Sequence, residues 1–294
     1  MLQPCISRAD LTSPKKRTLG AGQIARRRAA GREFDSELEL IGTDDRVSVL
    51  NTLAVPFRFI CALDLFFHDL DNPSRLIRFR GSGTLIGPRH VLTAGHCLFA
   101  FVKGSAGTSK RTKASAIRVS SGRNGDLNPL GSATMQSFRV SAGWLASRNP
   151  RFDYGLITLH EAIGDRAQAA LGGKPLGYWG SPAHGMGTMI SPRSPAALEG
   201  QLINISGYPG DKPAGTAWRA SGAVVNVSPA AGLELIYHDI DTCGGHSGSP
   251  IWTRSGQTRN LVAIHTGSCV LGPDRKSTRL NSSHSSPSRM PSSA

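Results

Sequence analysis

Apolar positions along the chain fall in short runs rather than long periods. Ser82–Gly87, His90–Ala94, Ile117–Ser121, Phe138–Ser141, Tyr154–Leu159, Leu202–Gly207, Gly222–Val227, Leu233–His238, Ser249–Thr253 and Leu261–His265 are rich in Val, Ile, Leu, Thr or Tyr, and Gly, Pro, Asn and Asp punctuate them. Branched and aromatic side chains suit a pleated surface, and Gly and Pro mark turns, so these runs predict strands of an all-β barrel or sandwich. Helical periodicity is modest and confined to Leu38–Leu40 and Ala162–Leu171. Residues 161–180 are expected to connect two halves, and residues 181–199, rich in Pro, Ser and Gly, to form a surface loop. No apolar stretch reaches the roughly 18 residues a membrane-spanning helix needs.

Composition agrees with that pattern. Of 294 residues, 39% are hydrophobic and 18% charged, enough for a proper core, while 34 Gly and 18 Pro favour turns and short strands. The net charge of +14 first suggests a polyanionic partner. Its distribution argues otherwise. Residues 1–32 hold eight Lys/Arg against one acid, and residues 274–294 hold four against one, leaving 22 bases and 18 acids in residues 33–273. Residues 1–40, with Lys15-Lys16-Arg17 and Arg26-Arg27-Arg28, read as a disordered basic leader or propeptide, with no apolar signal-peptide core after Met1. The tail 274–294 is Ser-, Arg- and Pro-rich and is expected to be disordered. Its Asp274–His284 run resembles an in-frame translation of a sequencing-library adapter, which would end the natural sequence near Pro273.

Three segments carry candidate chemistry. They are Leu92-Thr93-Ala94-Gly95-His96-Cys97, Phe152-Asp153-Tyr154-Gly155-Leu156-Ile157-Thr158-Leu159, and Asp241-Thr242-Cys243-Gly244-Gly245-His246-Ser247-Gly248-Ser249-Pro250. A serine hydroxyl is a poor nucleophile until an imidazole takes its proton, and the imidazole needs a carboxylate to fix its tautomer. The oxyanion that forms needs backbone N–H donors, and glycines beside the serine let the backbone turn toward it. Gly245 and Ser247 are the expected donors.

These motifs resemble the trypsin-like serine proteases, in particular their V8-like, glutamyl endopeptidase-like branch. Thr93–Cys97 looks like the family's histidine motif, Asp153–Ile157 its aspartate motif and Gly245–Pro250 its serine motif, with Ser249 where the trypsin branch usually has Gly. Gly207-Tyr208-Pro209-Gly210-Asp211-Lys212-Pro213 with Trp218, and Ile41-Gly42-Thr43-Asp44-Asp45-Arg46-Val47 as the start of the mature domain, add two matches in the same order. The resemblance spans 41–273. It implies two antiparallel six-stranded Greek-key barrels, at about 41–160 and 175–273, with the site in the cleft between them. It further implies a serine endopeptidase working through an acyl-enzyme, with Ser247 as nucleophile, His96 as base, Asp153 as its orienting carboxylate and the Gly245 and Ser247 amides as oxyanion donors.

The pocket in this fold would be walled by Asp241-Thr242-Cys243 and by Ala263-Ile264-His265-Thr266-Gly267-Ser268. The branch implies that His265 and Thr242 hold a P1 glutamate carboxylate, with Thr266 and Gly267 beside them. Asp241 keeps an alternative open, because it matches the residue that selects P1 Lys or Arg in trypsin. His246 replaces the aspartate that pairs with a new N-terminus in trypsin, so no activation switch of that kind is expected. Disulfides Cys61–Cys97 and Cys243–Cys269 are implied by the resemblance, and with them an oxidising, secreted or periplasmic location. Cys5 is left over in the leader.

The same residues exclude or leave open other chemistries. A metal site at His96-Cys97 lacks a second ligand cluster. A nucleophile elbow would need Gly where Ser249 stands and an acid and histidine later in the chain, where only Asp274 and His284 remain. An inactive protease-fold binding module stays open, because a natural end near Pro273 would remove the family's last strand and helix. The expectation is a monomer acting on protein or peptide substrates, with no cofactor, metal, nucleic acid or membrane partner.

Overall fold

The organising strand of the first half is Ile60–His68, whose side chains are buried on both faces through Leu65. A computed structural model describes residues 40, 43–105, 107–181, 187–191, 193–227, 235–270 and 279–284, with the backbone alone at 268–270 and 279–284. Its strands are β1 (Val47–Ser48), β2 (Ile60–His68), β3 (Leu76–Leu85), β4 (His90–Thr93), β5 (Phe99–Lys103), β6 (Ser109–Lys113), β7 (Ala116–Ser121), β8 (Ser132–Val140), β9 (Gly155–Leu159), β10 (Thr188–Ile190), β11 (Leu202–Gly207), β12 (Trp218–Val227), β13 (Leu235–His238), β14 (Pro250–Ser255), β15 (Thr258–Val270) and β16 (Arg279–His284). Three short helices accompany them: α1 (Gly95–Leu98), α2 (Ala142–Ser147) and α3 (Pro195–Leu198).

Strands β2, β3, β4, β9, β8 and β7 close an antiparallel barrel in that order. β9 shows the alternation a barrel wall requires, with Gly155, Ile157 and Leu159 buried and Leu156 and Thr158 half-buried. β2 escaped the sequence reading because Asp64 interrupts its apolar run. Asp64 lies between Arg80 and Arg118 on the neighbouring strands, and Arg118 donates to its Oδ2 at 2.7 and 3.1 Å. A carboxylate opposite cationic cross-strand partners belongs to a sheet, not a break in one. The β5–β6 hairpin, also missed, leaves the barrel directly after α1.

In the second half, β12, β11, β14, β15, β16 and β13 pair in sequence, and β13 returns to β12, so this sheet also closes on itself. β1 adds to β12, and β10 runs parallel to β15. Two expectations change here. The stretch 181–199 contributes β10 and α3 and is not loop throughout, and Ala162–Leu171 forms turns with one 3₁₀ turn at Ala169–Leu171 in place of a helix. In the tail, Arg279–His284 is a strand, filling the gap between β13 and β15. Its sequence has no apolar alternation; a backbone ladder does not require one, since every residue brings the same N–H and C=O. The rest of the tail (274–278 and 285–294), Leu38–Glu39, Ile41–Gly42 and residues 1–37 lie outside the described residues.

The two halves share a packed boundary. Trp179, from the connection, donates its indole N–H to Thr84 Oγ1 at 2.8 Å and packs at a tilt against Trp252 of β14, ring centroids 6.0 Å apart. Tyr208 is buried with its hydroxyl against the Arg123 carbonyl at 3.2 Å. Among the described residues no helix is long and apolar enough to cross a membrane.

Candidate active site

β4 and β9 pair so that Thr93 faces Gly155. The register delivers His96, three residues beyond Thr93, next to Asp153, two residues before Gly155. His96 Nδ1 lies 2.7 Å from Asp153 Oδ2, and the His96 backbone N–H donates to Asp153 Oδ1 at 2.8 Å. Both carboxylate oxygens are thus engaged by one residue, and the proton on Nδ1 leaves Nε2 as the acceptor. Burial alone would lower the His96 pKa, but the adjoining Asp153 carboxylate, helped by Cys97, holds it well above the usual histidine value. Trp144 of α2 packs edge-on to the His96 ring at 6.4 Å, a neighbour no motif announced.

The loop from Cys243 to Ser249 has each of five successive carbonyls bound. Cys243 O accepts from His246 N–H at 3.0 Å, Gly244 O from Gly210 N–H at 2.7 Å, and His246 O from Ser249 N–H at 2.8 Å. Gly245 O and Ser247 O both accept from Ser82, through its Oγ at 2.7 Å and its N–H at 2.9 Å. In a trans peptide the C=O and the following N–H point opposite ways. The bonds to Gly244 O and His246 O therefore aim the Gly245 and Ser247 N–H groups away from the protein partners. Among the described residues neither amide meets an acceptor. Gly245 has φ +101°, and a Cβ there would stand 2.5 Å from the Tyr208 carbonyl, so glycine is required by both conformation and space. Ser247 sits beside the histidine turn, its carbonyl 3.7 Å from Cys97 Sγ.

Behind the serine lie three buried histidines. His246 Nδ1 accepts from Cys243 N–H at 3.2 Å, and burial, with His265 and Arg46 nearby, pushes its pKa down to about 3. His265 packs 5.5 Å from His238, and its Nδ1 finds no hydrogen-bond partner among the described residues. Burial lowers His265 well below the usual value, with His238 and His96 adding to it, and burial with His246 takes His238 to about 3. All three are neutral at pH 7. His238 was not singled out in the sequence; its neighbourhood to His265 arises only when β13 and β15 join one sheet.

Asp241 is buried, and its Oδ2 accepts the Asp45 backbone N–H at 3.1 Å. Thr242 and Thr266 are also buried, and Gly267 is half-buried at a register shift in β15. The segment carrying Asp45 is fastened by Arg46, whose fork reaches Asp44 at 2.9 Å and Asp211 at 3.0 and 2.5 Å, while Lys212 Nζ reaches Asp44 at 2.7 Å. Asp211 also lies beside the Cys243 thiol, which links this cluster to the serine loop.

The Cys61–Cys97 bridge is not formed: both are free, buried thiols. Cys61 pairs across the ladder with Gly83, whereas the β3 position facing Cys97 is Gly81, where a Cβ would lie 3.1 Å from Cys97 Sγ. Two residues along a strand is about 7 Å, beyond a disulfide's reach. Cys243 is likewise free, and the Cys269 side chain and Cys5 lie outside the described residues. Burial pushes the Cys61 and Cys243 thiols up to about 12, so both stay protonated at neutral pH. The described residues contain no group of three or more His, Cys, Asp or Glu able to hold a metal ion.

Two barrels with a half-buried histidine held by a buried aspartate and a serine loop at their junction define a class of fold and site, and the chain belongs to the trypsin-like peptidase domain family, whose model matches residues 81–264. It is 34% identical over 248 residues to the glutamyl endopeptidase of Bacillus licheniformis, covering 82% of this chain and 65% of that protein. Against the extracellular metalloprotease of Bacillus subtilis it is 29% identical over 228 residues, covering 77% and 62%. The solved structure of a Glu endopeptidase in complex with MPD superposes with a TM-score of 0.61 at 27% identity, covering 84% of this chain and 94% of that one. The chain spans a little under two thirds of the length of these two Bacillus relatives.

Proposed function

We propose that the chain is a serine endopeptidase that hydrolyses peptide bonds through His96, Asp153 and Ser247. The observation that carries this is the 2.7 Å His96–Asp153 contact beside a serine loop whose Gly245 and Ser247 amides meet no acceptor among the described residues. Ser247 Oγ attacks the scissile carbonyl while His96 Nε2 takes its proton, and the Asp153 carboxylate stabilises the imidazolium. The carbonyl oxygen becomes an oxyanion in the Gly245 and Ser247 amides. His96 returns the proton to the departing amine, and water, activated by the same imidazole, cleaves the acyl-enzyme. Replacing Ser247 by Ala abolishes turnover and labelling by a serine-directed phosphonate; persistent activity would refute the assignment.

The substrate side chain read by the pocket is a P1 glutamate. The name of the Bacillus licheniformis relative supports this, as does His265, a buried neutral imidazole whose Nδ1 has no hydrogen-bond partner among the described residues. A carboxylate arriving beside it accepts an N–H bond and favours the protonated ring. The Lys/Arg alternative loses ground because one Asp241 oxygen is spent on the Asp45 amide. Cleavage of a mixed peptide library decides: cuts after Glu are expected, and cuts only after Lys or Arg would overturn the pocket assignment. Export from the cell is part of the proposal, supported by the relative named extracellular and no longer by a Cys61–Cys97 bridge.

A further inference from the structure

We propose that Ser82 is a positioning residue for the catalytic serine loop, acting from the opposite barrel through its hydroxyl; the proposal rests on the serine-peptidase reading above. Ser82 is fully buried in β3, and every polar group it owns is used. Its N–H donates to Ser247 O at 2.9 Å, and its carbonyl accepts from Thr93 Oγ1 at 2.7 Å. Its Oγ donates to Gly245 O at 2.7 Å and accepts from Tyr208 N–H at 2.9 Å.

Strand geometry explains how one residue reaches all of these. β3 pairs with β4 only at Thr84 and Leu85, so its edge is free of a strand partner at Ser82. The serine loop occupies that edge in place of a strand. Side chains alternate along β3, which sends positions 81 and 83 to one face and 82 to the other. Glycines at 81 and 83 admit Cys97 and Val91 closely on the first face, and the Ser82 hydroxyl is left to project toward the second barrel.

The consequence concerns the oxyanion donors. The Gly245–His246 peptide lies between the two peptides that carry the Gly245 and Ser247 N–H groups. Holding its carbonyl with Ser82 Oγ sets its plane and hence the angle between the two donors. The Thr93 bond refers the same residue to the strand that delivers His96. Base and oxyanion donors are thereby registered to one another across the barrel junction. Pre-aimed dipoles of this kind act on the transition state more than on substrate binding.

The test compares Ser82→Ala with Thr84→Val. Thr84 is equally buried on the same strand and bonded to Phe59 O and the Trp179 indole, away from the serine loop. Phosphonate labelling of Ser247, kcat and KM on a peptide ester, and thermal midpoint are measured for each. Ser82→Ala is expected to slow labelling and kcat by about 10- to 100-fold, with KM nearly unchanged. Thr84→Val is expected to lower the midpoint while labelling at the wild-type rate. Wild-type labelling in a folded Ser82→Ala protein, or equal slowing in both variants, overturns the proposal. Should Ser82→Ala fail to fold, Ser82→Cys keeps the volume with a weaker donor and must label more slowly than wild type; a wild-type rate there also overturns it. A wild-type protein that does not label at all sinks the peptidase reading itself.

Discussion

Arg46 and Asp211, 165 positions apart in the chain, are joined by two guanidinium–carboxylate hydrogen bonds at 3.0 and 2.5 Å. The Arg46 side chain is 1% exposed, so its charge is tolerable only while the carboxylates face it. Asp44 is held below the usual carboxylate range by its hydrogen bonds from Arg46. Burial alone would raise Asp211, and the Arg46 bonds outweigh it. Groups with depressed folded values stabilise fully above the unfolded aspartate pKa near 3.9, and that stability is lost as pH falls through the folded values. Arg46→Met should therefore cost about 3–5 kcal/mol in urea unfolding at pH 7. The deficit should shrink in acid, once wild type also loses the pair. A flat deficit from pH 7 to pH 2 would show that the charges are not its source.

Gly81→Cys should cross-link to Cys97. A Cβ at position 81 would stand 3.1 Å from the Cys97 sulfur, and Gly81 lies in a strand with no left-handed φ to forbid a side chain. Closing a loop of roughly 15 residues is worth about 3 kcal/mol. Oxidised protein should lose two titratable thiols relative to its reduced form and melt higher, and reduction should reverse both changes. An unchanged thiol count would contradict the packing at this point.

The acid limb of kcat/KM should lie above the ordinary histidine value of about 6.5, since the base must be neutral and the Asp153 carboxylate favours its charged form. Asp153→Asn removes that charge. The limb should move to lower pH while the plateau falls by about 10⁴-fold, because the imidazole loses its orienting acceptor. A limb that stays in place would mean that His96 is not the titrating group.

If His265 receives a P1 carboxylate, its pKa rises on binding, and binding takes up a proton. The KM for Glu substrates, unlike that for isosteric Gln substrates, should fall as pH drops through the raised, substrate-bound value of His265. His238→Phe keeps an aromatic ring against His265 but removes the imidazole that helps to depress its pKa, and should lower KM for Glu selectively. Parallel changes for Glu and Gln would remove His265 from recognition.

Much of the candidate site was legible because the residues proposed for its chemistry sit in short contiguous motifs. His96, Asp153 and the Gly245–Ser247 run could be read locally, and each stands where two strand ends or a turn deliver it. The runs Leu202–Gly207 and His90–Ala94 were legible as strands for the same reason: local alternation is visible without a partner. What escaped depends on pairing. β2 was obscured by Asp64, whose place is explained only by arginines on two other strands. Ser82 looks like any strand serine until the loop 163 residues away lands on it. Cys61 and Cys97 suggested a bridge by likeness, while register puts Gly81 in the facing position.

The boundary between the barrels contains Ser82 against Gly245 and Ser247, Tyr208 against Arg123 and Trp179 against Trp252 and Thr84. Neither half can therefore keep its proposed catalytic groups aligned after the other has melted. Activity loss and unfolding should be one cooperative event, with a single denaturant midpoint read by enzyme assay, far-UV circular dichroism and tryptophan fluorescence alike.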